Sequence, residues 1–395
     1  MCERDVTLGN FVQSPAKCAG HPLWRRELTI STTKKFAGVV AAAGLLVALA
    51  GCGSAPEATP TESADAGSGA VEGFLPCMVS GTGGYDDKSF NQLGLAGLEQ
   101  AAEELGVESI AVESNTTSDF APNIQSVLDQ NCTLVVTVGF DLAAAAAEAA
   151  EANPDVQFVS VDDIVDTDFD GETDFPNIKP VIFDTAQAAF LAGYASASLS
   201  TSKVVGTFGG KPFPTVTIFM DGFKQGVEYW NEQKGDSVQV LGWDGTDGIF
   251  TDAFVPDPAA ENASRGLVDQ GADVILPVGG GIYQSAASVI RDSGKDIALL
   301  GVDADVYETD PSVADLLLTS ILKAIDVGVS TAIIEAGEGN FDAAPYVGVL
   351  EDEGVGIAPF HDFEDKVSPD LQGELDAIVA GIVDGSIPVD SYLAE

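Results

Sequence analysis

Residues 74–101 read FLPCMVSGTGGYDDKSFNQLGLAGLEQA, which is an apolar run, a glycine-rich turn and a helical pattern in direct succession. The apolar run over 74–80 predicts a strand, and the pattern over 89–105 predicts a helix. Glycines in the turn let the backbone approach a ligand closely. This stretch therefore predicts a strand–turn–helix unit in which the turn is the first candidate for a binding site.

The polar and aromatic residues of this turn have two interpretations. Asp87 or Ser89 can cap the helix that follows, and capping alone would explain both of them. Capping does not explain Phe90 and Asn91 at the carboxyl end of a strand. An aromatic side chain there can stack on a planar ring, so Phe90 is a candidate ligand contact.

The same succession of strand and helix recurs along the rest of the chain. Ten apolar runs predict strands at 74–80, 108–114, 133–139, 156–162, 179–184, 203–209, 237–243, 272–278, 296–303 and 346–350. Nine helical patterns are found at 89–105, 119–130, 141–152, 185–200, 214–233, 258–270, 282–293, 320–337 and 368–384. Repeated β-α-β units with continuous apolar strands predict parallel sheets covered by helices on both faces.

Ten strands are too many for one compact sheet, and the pattern restarts at residue 203. The predicted fold class is therefore α/β, with two doubly wound parallel-sheet lobes joined by a hinge. Ligands bind such sheets outside the carboxyl ends of the strands. Two facing lobes would thus form a cleft that closes on its ligand.

The N-terminal segment has the order of an export signal. Positive residues between 25 and 35 precede an uncharged apolar run over 36–50, which is shorter than the ~20 residues of a spanning helix. The sequence Leu-Ala-Gly-Cys at its end resembles the bacterial lipobox, which predicts a signal peptide with an N-terminal extension over 1–51 and lipidation of Cys52. Residues 52–72 then form a flexible linker. We expect export and a lipid anchor at the outer face of the cell membrane.

Composition excludes several classes of function. The chain carries 17 lysine and arginine residues against 62 aspartate and glutamate residues, a net charge of −45, so nucleic acid is not an expected partner. His361 is the only histidine after the predicted cleavage site, and no G-x-S-x-G, P-loop or zinc-site spacing occurs. We predict no catalysis, no cofactor and no metal. A glycosidase-like pair of acids stays open, but it is weak evidence in so acidic a chain.

Cys77 and Cys132 remain in the chain after Cys52, each at the start of an apolar strand run. If these runs are the first and third strands of a doubly wound sheet, they are neighbours in the strand order 2-1-3. A disulfide between Cys77 and Cys132 is then one prediction for an exported protein. Two buried free thiols are the alternative.

Three further strand ends carry polar groups or glycines. Asp162 ends the fourth predicted strand, Gly280 lies in the Gly-Gly-Gly sequence after 272–278, and Asp303 ends the strand over 296–303. A carboxylate at such a position can accept two sugar hydroxyls. Taken singly, each acid is better explained as a solvated residue of a loop.

Five segments in order carry a specific resemblance: SGTGGYDDKSFNQLGLAGLEQA, VTVGF (136–140), the Gly-Gly-Gly strand end, GVDAD and LTSILKAID (318–326). Together they resemble the basic membrane protein family of PnrA-like, substrate-binding lipoproteins of ABC transporters. The resemblance covers essentially residues 73–395. It implies a type I periplasmic-binding fold with a three-segment hinge, which we place near residues 184, 319 and 345. The implied lobes are 73–183 plus 320–344 and 184–319 plus 345–395.

The resemblance also implies a ligand and its contacts. A nucleoside, with purine the favoured base, would lie between Phe90 and an aromatic residue of the second lobe, for which Phe254 is the best match. Trp243 and Phe250 remain alternatives for this second aromatic residue. The other implied contacts are Asn91, Asp162, Gly280, Asp303 and Lys323. An ABC permease is the implied protein partner, and the protein itself is expected to be a monomer.

One departure from the family pattern concerns the base. The family usually has an aspartate that contacts the purine edge where this chain has Gly81. A buried site without that acceptor lacks a polar contact worth about 1–3 kcal/mol. Purine specificity is therefore less firmly implied than stacking and ribose binding.

Two alternatives concern the acidic loop and the function. Residues 166–174 begin like a calcium-binding loop, but Asn177 stands where a bidentate glutamate is needed, so a solvated acidic loop is the preferred interpretation. The alternative functions are a binding protein for a sugar or other small polar solute and an extracellular nucleoside hydrolase. A transcription regulator of the same fold is disfavoured by the lipobox, the charge and the lack of a helix-turn-helix.

Overall fold

The computed structural model of the protein describes residues 70–168 and 171–393. The predicted signal peptide, the lipidated Cys52 and most of the linker lie outside the described residues. Among the helices of the described part, none combines the length and apolar character that crossing a membrane requires. The described residues fold into two lobes, each built on one six-stranded sheet.

Each sheet contains five parallel strands in the order 2-1-3-4-5, followed by one further strand at the edge. The first lobe uses the order β11-β5-β4-β3-β1-β2 and the second β12-β10-β9-β8-β6-β7. The strands are β1 (Pro76–Thr82), β2 (Ile110–Ser114), β3 (Leu134–Val138), β4 (Gln157–Val161), β5 (Ile178–Phe183), β6 (Val204–Gly209), β7 (Gln239–Leu241), β8 (Val274–Val278), β9 (Ala298–Asp303), β10 (Leu317–Lys323), β11 (Tyr346–Gly348) and β12 (Val355–Ile357). Among the strands of the part of the chain that the structure describes, only β12 runs antiparallel to its neighbour. The two doubly wound lobes predicted from the sequence are thus confirmed.

Helices cover both faces of each sheet, as continuous apolar strands require. They are α1 (Phe90–Leu105), α2 (Phe120–Asp129), α3 (Ala143–Ala152), α4 (Thr185–Leu199), α5 (Pro214–Lys234), α6 (Pro258–Asp269), α7 (Tyr283–Ser293), α8 (Val306–Thr309), α9 (Ile325–Gly337) and α10 (Leu371–Val383). α4 is buried on nearly all sides and packs along α5. Glycines permit this close approach: a Cβ atom on Gly226 would lie 1.9 Å from the carbonyl oxygen of Phe190.

The chain passes between the sheets three times. It leaves the first sheet after β5, and α4 begins the second lobe at Thr185. It leaves the second sheet after Lys323, and α9 then packs against α1 of the first lobe. The last passage lies between Gly348 of β11 and Val355 of β12. Three connections of this kind form a hinge about which the lobes can rotate.

Two of these positions differ from the sequence-based boundaries at 319 and 345. Residues 320–323 were predicted to begin a helix of the first lobe, but they complete β10, a strand paired with β9 and β12 of the second sheet. Short apolar runs do not distinguish a strand from a buried helix, and long-range pairing decided this one. β11 pairs with β5, so residues 346–348 belong to the first sheet.

Cys77 and Cys132 form a disulfide in the first lobe, with their Cα atoms 5.9 Å apart. β1 pairs with β3, and Cys77 lies opposite Val135 in this register. Both cysteines are buried in the core on one face of the sheet. The disulfide links β1, which leads into the glycine-rich turn, to the segment just before the neighbouring strand β3.

Candidate functional site

A cavity lies between the two lobes, where the carboxyl ends of both sets of parallel strands meet. The structure brings all seven residues predicted to contact a ligand to its wall. These residues are Phe90, Asn91, Asp162, Phe254, Gly280, Asp303 and Lys323. They come from six separate turns and strand ends, so only the tertiary fold assembles them.

The glycine-rich turn of the first lobe is organised by Asp87. Its carboxylate accepts hydrogen bonds from the backbone N–H groups of Ser89, Asn91 and Gln92 and from the Asn91 side chain. An acid at the N-terminus of a helix satisfies donors that have no partner within the helix. Asn91 Oδ1 accepts from the N–H of Gly81 at 2.9 Å. The Asn91 amide is held in place yet retains one N–H and one lone pair for a ligand.

Gly81, at the position where the resemblance implies an aspartate, is closely surrounded in this chain. A Cβ atom at this position would lie 2.8 Å from the carbonyl oxygen of Val138 and 3.4 Å from Asn91 Oδ1. Carbon and oxygen atoms do not approach to 2.8 Å without a shift of the backbone. An acidic side chain at position 81 therefore requires a different geometry of the turn.

One aromatic ring from each lobe packs on a glycine that follows the third strand of that lobe. Phe90 lies against Gly139, and Phe254 lies against Gly279. Both glycines have positive φ, +115° and +130°, which a side chain would strain. A Cβ atom on Gly279 would lie 2.5 Å from the Phe254 ring, so the ring is seated directly on the backbone.

The two alternatives for the second aromatic residue lie elsewhere. Trp243 is 7% exposed and donates its indole N–H to Asp221 at 2.7 Å. Phe250 packs against Gly209 and edge-on against Trp243. Neither residue lines the cavity, whereas Phe254 does.

Three further phenylalanines of the cavity wall were not predicted as site residues: Phe140, Phe213 and Phe219. Phe140 lies two residues after β3, in the sequence VTVGF that carries part of the family resemblance. Phe213 directly precedes α5, and Phe219 lies within it. An aromatic residue next to the carboxyl end of a strand was the available signal for Phe140, while nothing local distinguished Phe213 or Phe219.

A buried ion pair joins the lobes at the base of the cavity. Lys323 Nζ lies 2.6 and 2.7 Å from the two carboxylate oxygens of Asp162, and both residues are more than 90% buried. The ammonium group also lies 5.0 Å from the centre of the Phe90 ring, within cation–π range. Lys323 comes from β10 and Asp162 from the end of β4, so the pair spans the cleft.

Asp303 is a second buried carboxylate in contact with the opposite lobe. Ser89 Oγ lies 2.8 Å from Asp303 Oδ2 and 2.9 Å from the carbonyl oxygen of Val302, and its hydroxyl donates to one of them at a time. Burial raises the pKa of Asp303 to about 6, against the opposing effects of Lys323 and Ser89. Asp162 and Asp303 both have positive φ, 68° and 66°, which turns the chain sharply at the two strand ends.

The acidic loop lies away from this cavity. Asp166, Asp168 and Asp174 each place a carboxylate oxygen within 4.8 Å of the others. Asn177, at the position where a calcium loop needs glutamate, donates its amide to the carbonyl oxygens of Ala150, Asn153 and Val156. The Asn177 side chain therefore stabilises the fold of the first lobe. The interpretation of residues 166–174 as a solvated acidic loop stays a prediction.

The lining of the cavity combines aromatic rings with charged side chains. Its phenyl rings suit a flat apolar group, and its carboxylates and the Lys323 ammonium suit hydroxyl groups and polar edges. His361 lies outside the cavity lining, stacks on Tyr307 and lies 2.8 Å from Asp305. A flat ring carrying a hydroxylated substituent is the ligand chemistry that this wall favours.

Comparison with known proteins agrees with the resemblance seen in the sequence. Residues 75–390 match the Bmp family model, described as ABC transporter substrate-binding protein PnrA-like. The chain is 25% identical to a CD4+ T-cell-stimulating antigen of Listeria monocytogenes, over 80% of this chain and 88% of that protein. It is 26% identical to the ABC transporter nucleoside-binding protein BmpA of Lactococcus lactis, over 87% and 95% of the two chains.

Among solved structures, an ABC transporter solute-binding protein from Aeropyrum pernix superposes with a TM-score of 0.71. The two chains are 21% identical, and the match covers 82% of this chain and 94% of the other. At this identity the likeness concerns the fold. The predicted type I periplasmic-binding fold is confirmed.

Proposed function

Because the chain belongs to the Bmp family of PnrA-like ABC transporter substrate-binding proteins, we propose that it captures a nucleoside in the cavity between its lobes. The favoured ligand has a purine base. The base stacks on Phe90 and Phe254, and the ribose hydroxyls bind the carboxylates of Asp162 and Asp303. Asn91, Lys323 and the backbone at Gly280 supply further polar contacts.

The observation that carries this proposal is the pairing of aromatic and acidic groups in one cavity. A phenyl ring from each lobe lines the same space as the buried Asp162, Asp303 and Lys323. A ligand that contacts both lobes stabilises their closed arrangement, since it binds that arrangement more tightly than the open one. Closure on a nucleoside would thereby signal a loaded binding protein to its permease.

The proposal extends to the location of the protein. Cys52, cut from the signal peptide and lipidated, would hold the protein at the outer face of the cell membrane. The linker up to residue 72 would leave the lobes free to open and close beside the permease. A Cys52→Ala variant is expected to leave the membrane fraction, and a variant that stays membrane-bound would contradict the anchor.

Phe90→Ala and Phe254→Ala are each expected to weaken nucleoside binding about 5- to 150-fold. The reason is that stacking of a base on an aromatic side chain is worth about 1–3 kcal/mol by alanine substitution. Isothermal titration calorimetry with purine and pyrimidine nucleosides, free bases and ribose measures the effect. Phe341→Ala, a partly buried ring outside the cavity lining, is the control and should leave the affinity unchanged.

Three outcomes would contradict the proposal that a nucleoside binds between the two rings. Binding of ribose and not of nucleosides would favour the sugar-binding alternative. Release of free base on prolonged incubation would favour a nucleoside hydrolase. Unchanged affinity in both alanine variants would place the ligand outside the two rings.

Nucleoside affinity is expected to fall about tenfold between pH 7 and pH 5. The pKa of Asp303 is raised by burial to about 6, so this carboxyl is mostly protonated at pH 5 and loses its capacity to accept two hydroxyl groups. Above pH 7 the affinity should be flat, because Asp303 is then ionised. Calorimetry from pH 5 to pH 8 measures the profile.

Two variants test whether Asp303 is the group whose titration produces this pH profile. Asp303→Asn should bind weakly at every pH and show no slope. Asp163 also has a pKa raised by burial to about 6, but it does not line the cavity, so Asp163→Asn should keep the wild-type slope. A slope that survives in Asp303→Asn would show that another group titrates.

A further inference from the structure

Four residues bridge the cleft at the carboxyl end of β3, and the proposed binding contacts do not include them. Phe140 and Asp141 follow β3 in the first lobe, and Lys211 and Phe213 precede α5 in the second. Asp141 and Lys211 form an ion pair across the cleft. The rings of Phe140 and Phe213 stack beside it, with centroids 4.8 Å apart and an interplanar angle of 30°.

We propose that these four residues form a cleft clamp, in which Lys211 is a positioning residue that sets how slowly a bound ligand leaves. The inference rests on the proposed function for its ligand, but the clamp itself is defined by contacts between the lobes. Phe140, Asp141 and Phe213 line the cavity, whereas Lys211 does not. Opening the lobes must separate both the ion pair and the ring pair.

The clamp is connected to the candidate stacking ring of the second lobe. Lys211 Nζ lies 5.3 Å from the centre of the Phe213 ring and 5.6 Å from that of Phe254. The centroids of Phe213 and Phe254 are 6.1 Å apart. One ammonium group therefore contacts Asp141 of the first lobe and two aromatic rings of the second, so closure of the clamp orients Phe254 over the cavity.

The burial of the ion pair decides how strong the clamp can be. The side chains of Lys211 and Asp141 are 22% and 21% exposed, so the pair lies between cavity and solvent. Fully exposed pairs contribute ~0.2–1 kcal/mol, whereas breaking a fully buried pair has a far larger effect. A pair that is about one-fifth exposed falls between these limits and remains sensitive to salt, because water and ions still reach it.

Lys211→Met and Asp141→Asn are each expected to raise the dissociation rate constant of a purine nucleoside about fivefold to tenfold at low salt. The association rate constant should change less. In the wild type the dissociation rate should rise between 20 and 500 mM NaCl, because the screening length falls from about 20 Å to about 4 Å over this range. In both variants that salt dependence should be lost. Stopped-flow protein fluorescence with adenosine, inosine and guanosine as probes gives both rate constants.

Two further variants separate a positioning role from a structural one. The charge swap Asp141→Lys with Lys211→Asp should restore slow, salt-sensitive dissociation. Lys203→Met removes a pair with Asp236 that lies wholly within the second lobe, and it should behave as the wild type. The clamp is overturned if Lys211→Met keeps the wild-type rates and salt dependence, or if only Asp141→Asn has an effect, which would make Asp141 a direct ligand contact.

A readout without ligand distinguishes failure of the clamp from failure of the proposed function. Small-angle scattering of the ligand-free protein should give a larger radius of gyration for Lys211→Met than for Lys203→Met at low salt. Equal radii would contradict the clamp. If the wild-type protein binds no nucleoside at all, the proposed function fails, and the scattering comparison still decides the clamp.

Discussion

Replacing Lys323 by methionine is expected to lower the free energy of unfolding by about 3–5 kcal/mol, because it leaves a buried carboxylate without its partner. Lys323 holds both oxygens of Asp162 within 2.7 Å, and the side chains are 2% and 9% exposed. Asp303 lies in the same cavity, so removal of the ammonium leaves two buried acids beside one another. Urea unfolding followed by circular dichroism at pH 7.5 measures the change.

The matched controls test whether the uncompensated charge is the cause. The double variant Lys323→Met with Asp162→Asn removes both charges and should be less destabilised than Lys323→Met alone. Lys224→Met breaks an exposed ion pair with Glu228 inside α5 and should change stability by no more than ~0.5 kcal/mol. A single variant as stable as the double variant would show that the Asp162 carboxylate is hydrated in the folded protein.

Removing the Cys77–Cys132 disulfide is expected to lower the free energy of unfolding by about 4 kcal/mol. The two cysteines are 55 residues apart in the chain, and loop-closure entropy of the unfolded state accounts for a value of this size. The variant is Cys77→Ala with Cys132→Ala, since both positions are buried and alanine introduces no polar group. Chemical denaturation of the variant and of the oxidised wild type gives the difference.

The same prediction has a direct chemical check. Alkylation of the unfolded, unreduced protein should modify neither Cys77 nor Cys132, and mass spectrometry of the peptides reads this out. Reductant should lower the stability of the wild type toward that of the alanine variant and leave the variant itself unchanged. Two alkylated cysteines in the unreduced protein would support the alternative of buried free thiols.

The buried residues of the cleft are expected to affect both the stability of the fold and the binding of a ligand. Asp162, Asp303 and Lys323 are buried in the arrangement of lobes seen here, and Ser89 and Thr309 add hydrogen bonds between the lobes. Thr309 Oγ1 donates to the carbonyl oxygen of Lys88 at 2.7 Å. Contacts between the lobes thus stabilise closure without a ligand, and a nucleoside would add its own contacts with both.

Much of the fold follows from periodicity alone. Continuous apolar runs such as 133–139 are predicted as strands because both faces of a parallel sheet are buried, and β3 lies within that run. The restart of the pattern at 203 marks the second sheet. The strand over 317–323 was missed, since LLTSILK is equally compatible with a buried helix and becomes a strand by pairing with β9.

The candidate site was predictable only in part. Phe90 and Asn91 stand out locally, because helix capping does not explain an aromatic residue and an amide in the turn after a strand, although the structure shows that Asn91 also holds the turn together. Asp162, Gly280, Asp303 and Lys323 were predicted through the family resemblance, and the structure places them in one cavity. The sequence offers three candidates for the aromatic residue of the second lobe, and of these three only Phe254 lines that cavity.

By itself the amino-acid sequence determined the alternation of strands and helices, the division into two lobes and the strand ends that carry polar groups. These features depend on residues close together in the chain, whose spacing sets which face is buried. The tertiary structure alone decided that Lys323 ends a strand, that Phe254 rather than Trp243 faces the cavity, and that Lys211 meets Asp141 across the cleft. Each of these depends on contacts between residues far apart in the chain, which local spacing does not encode.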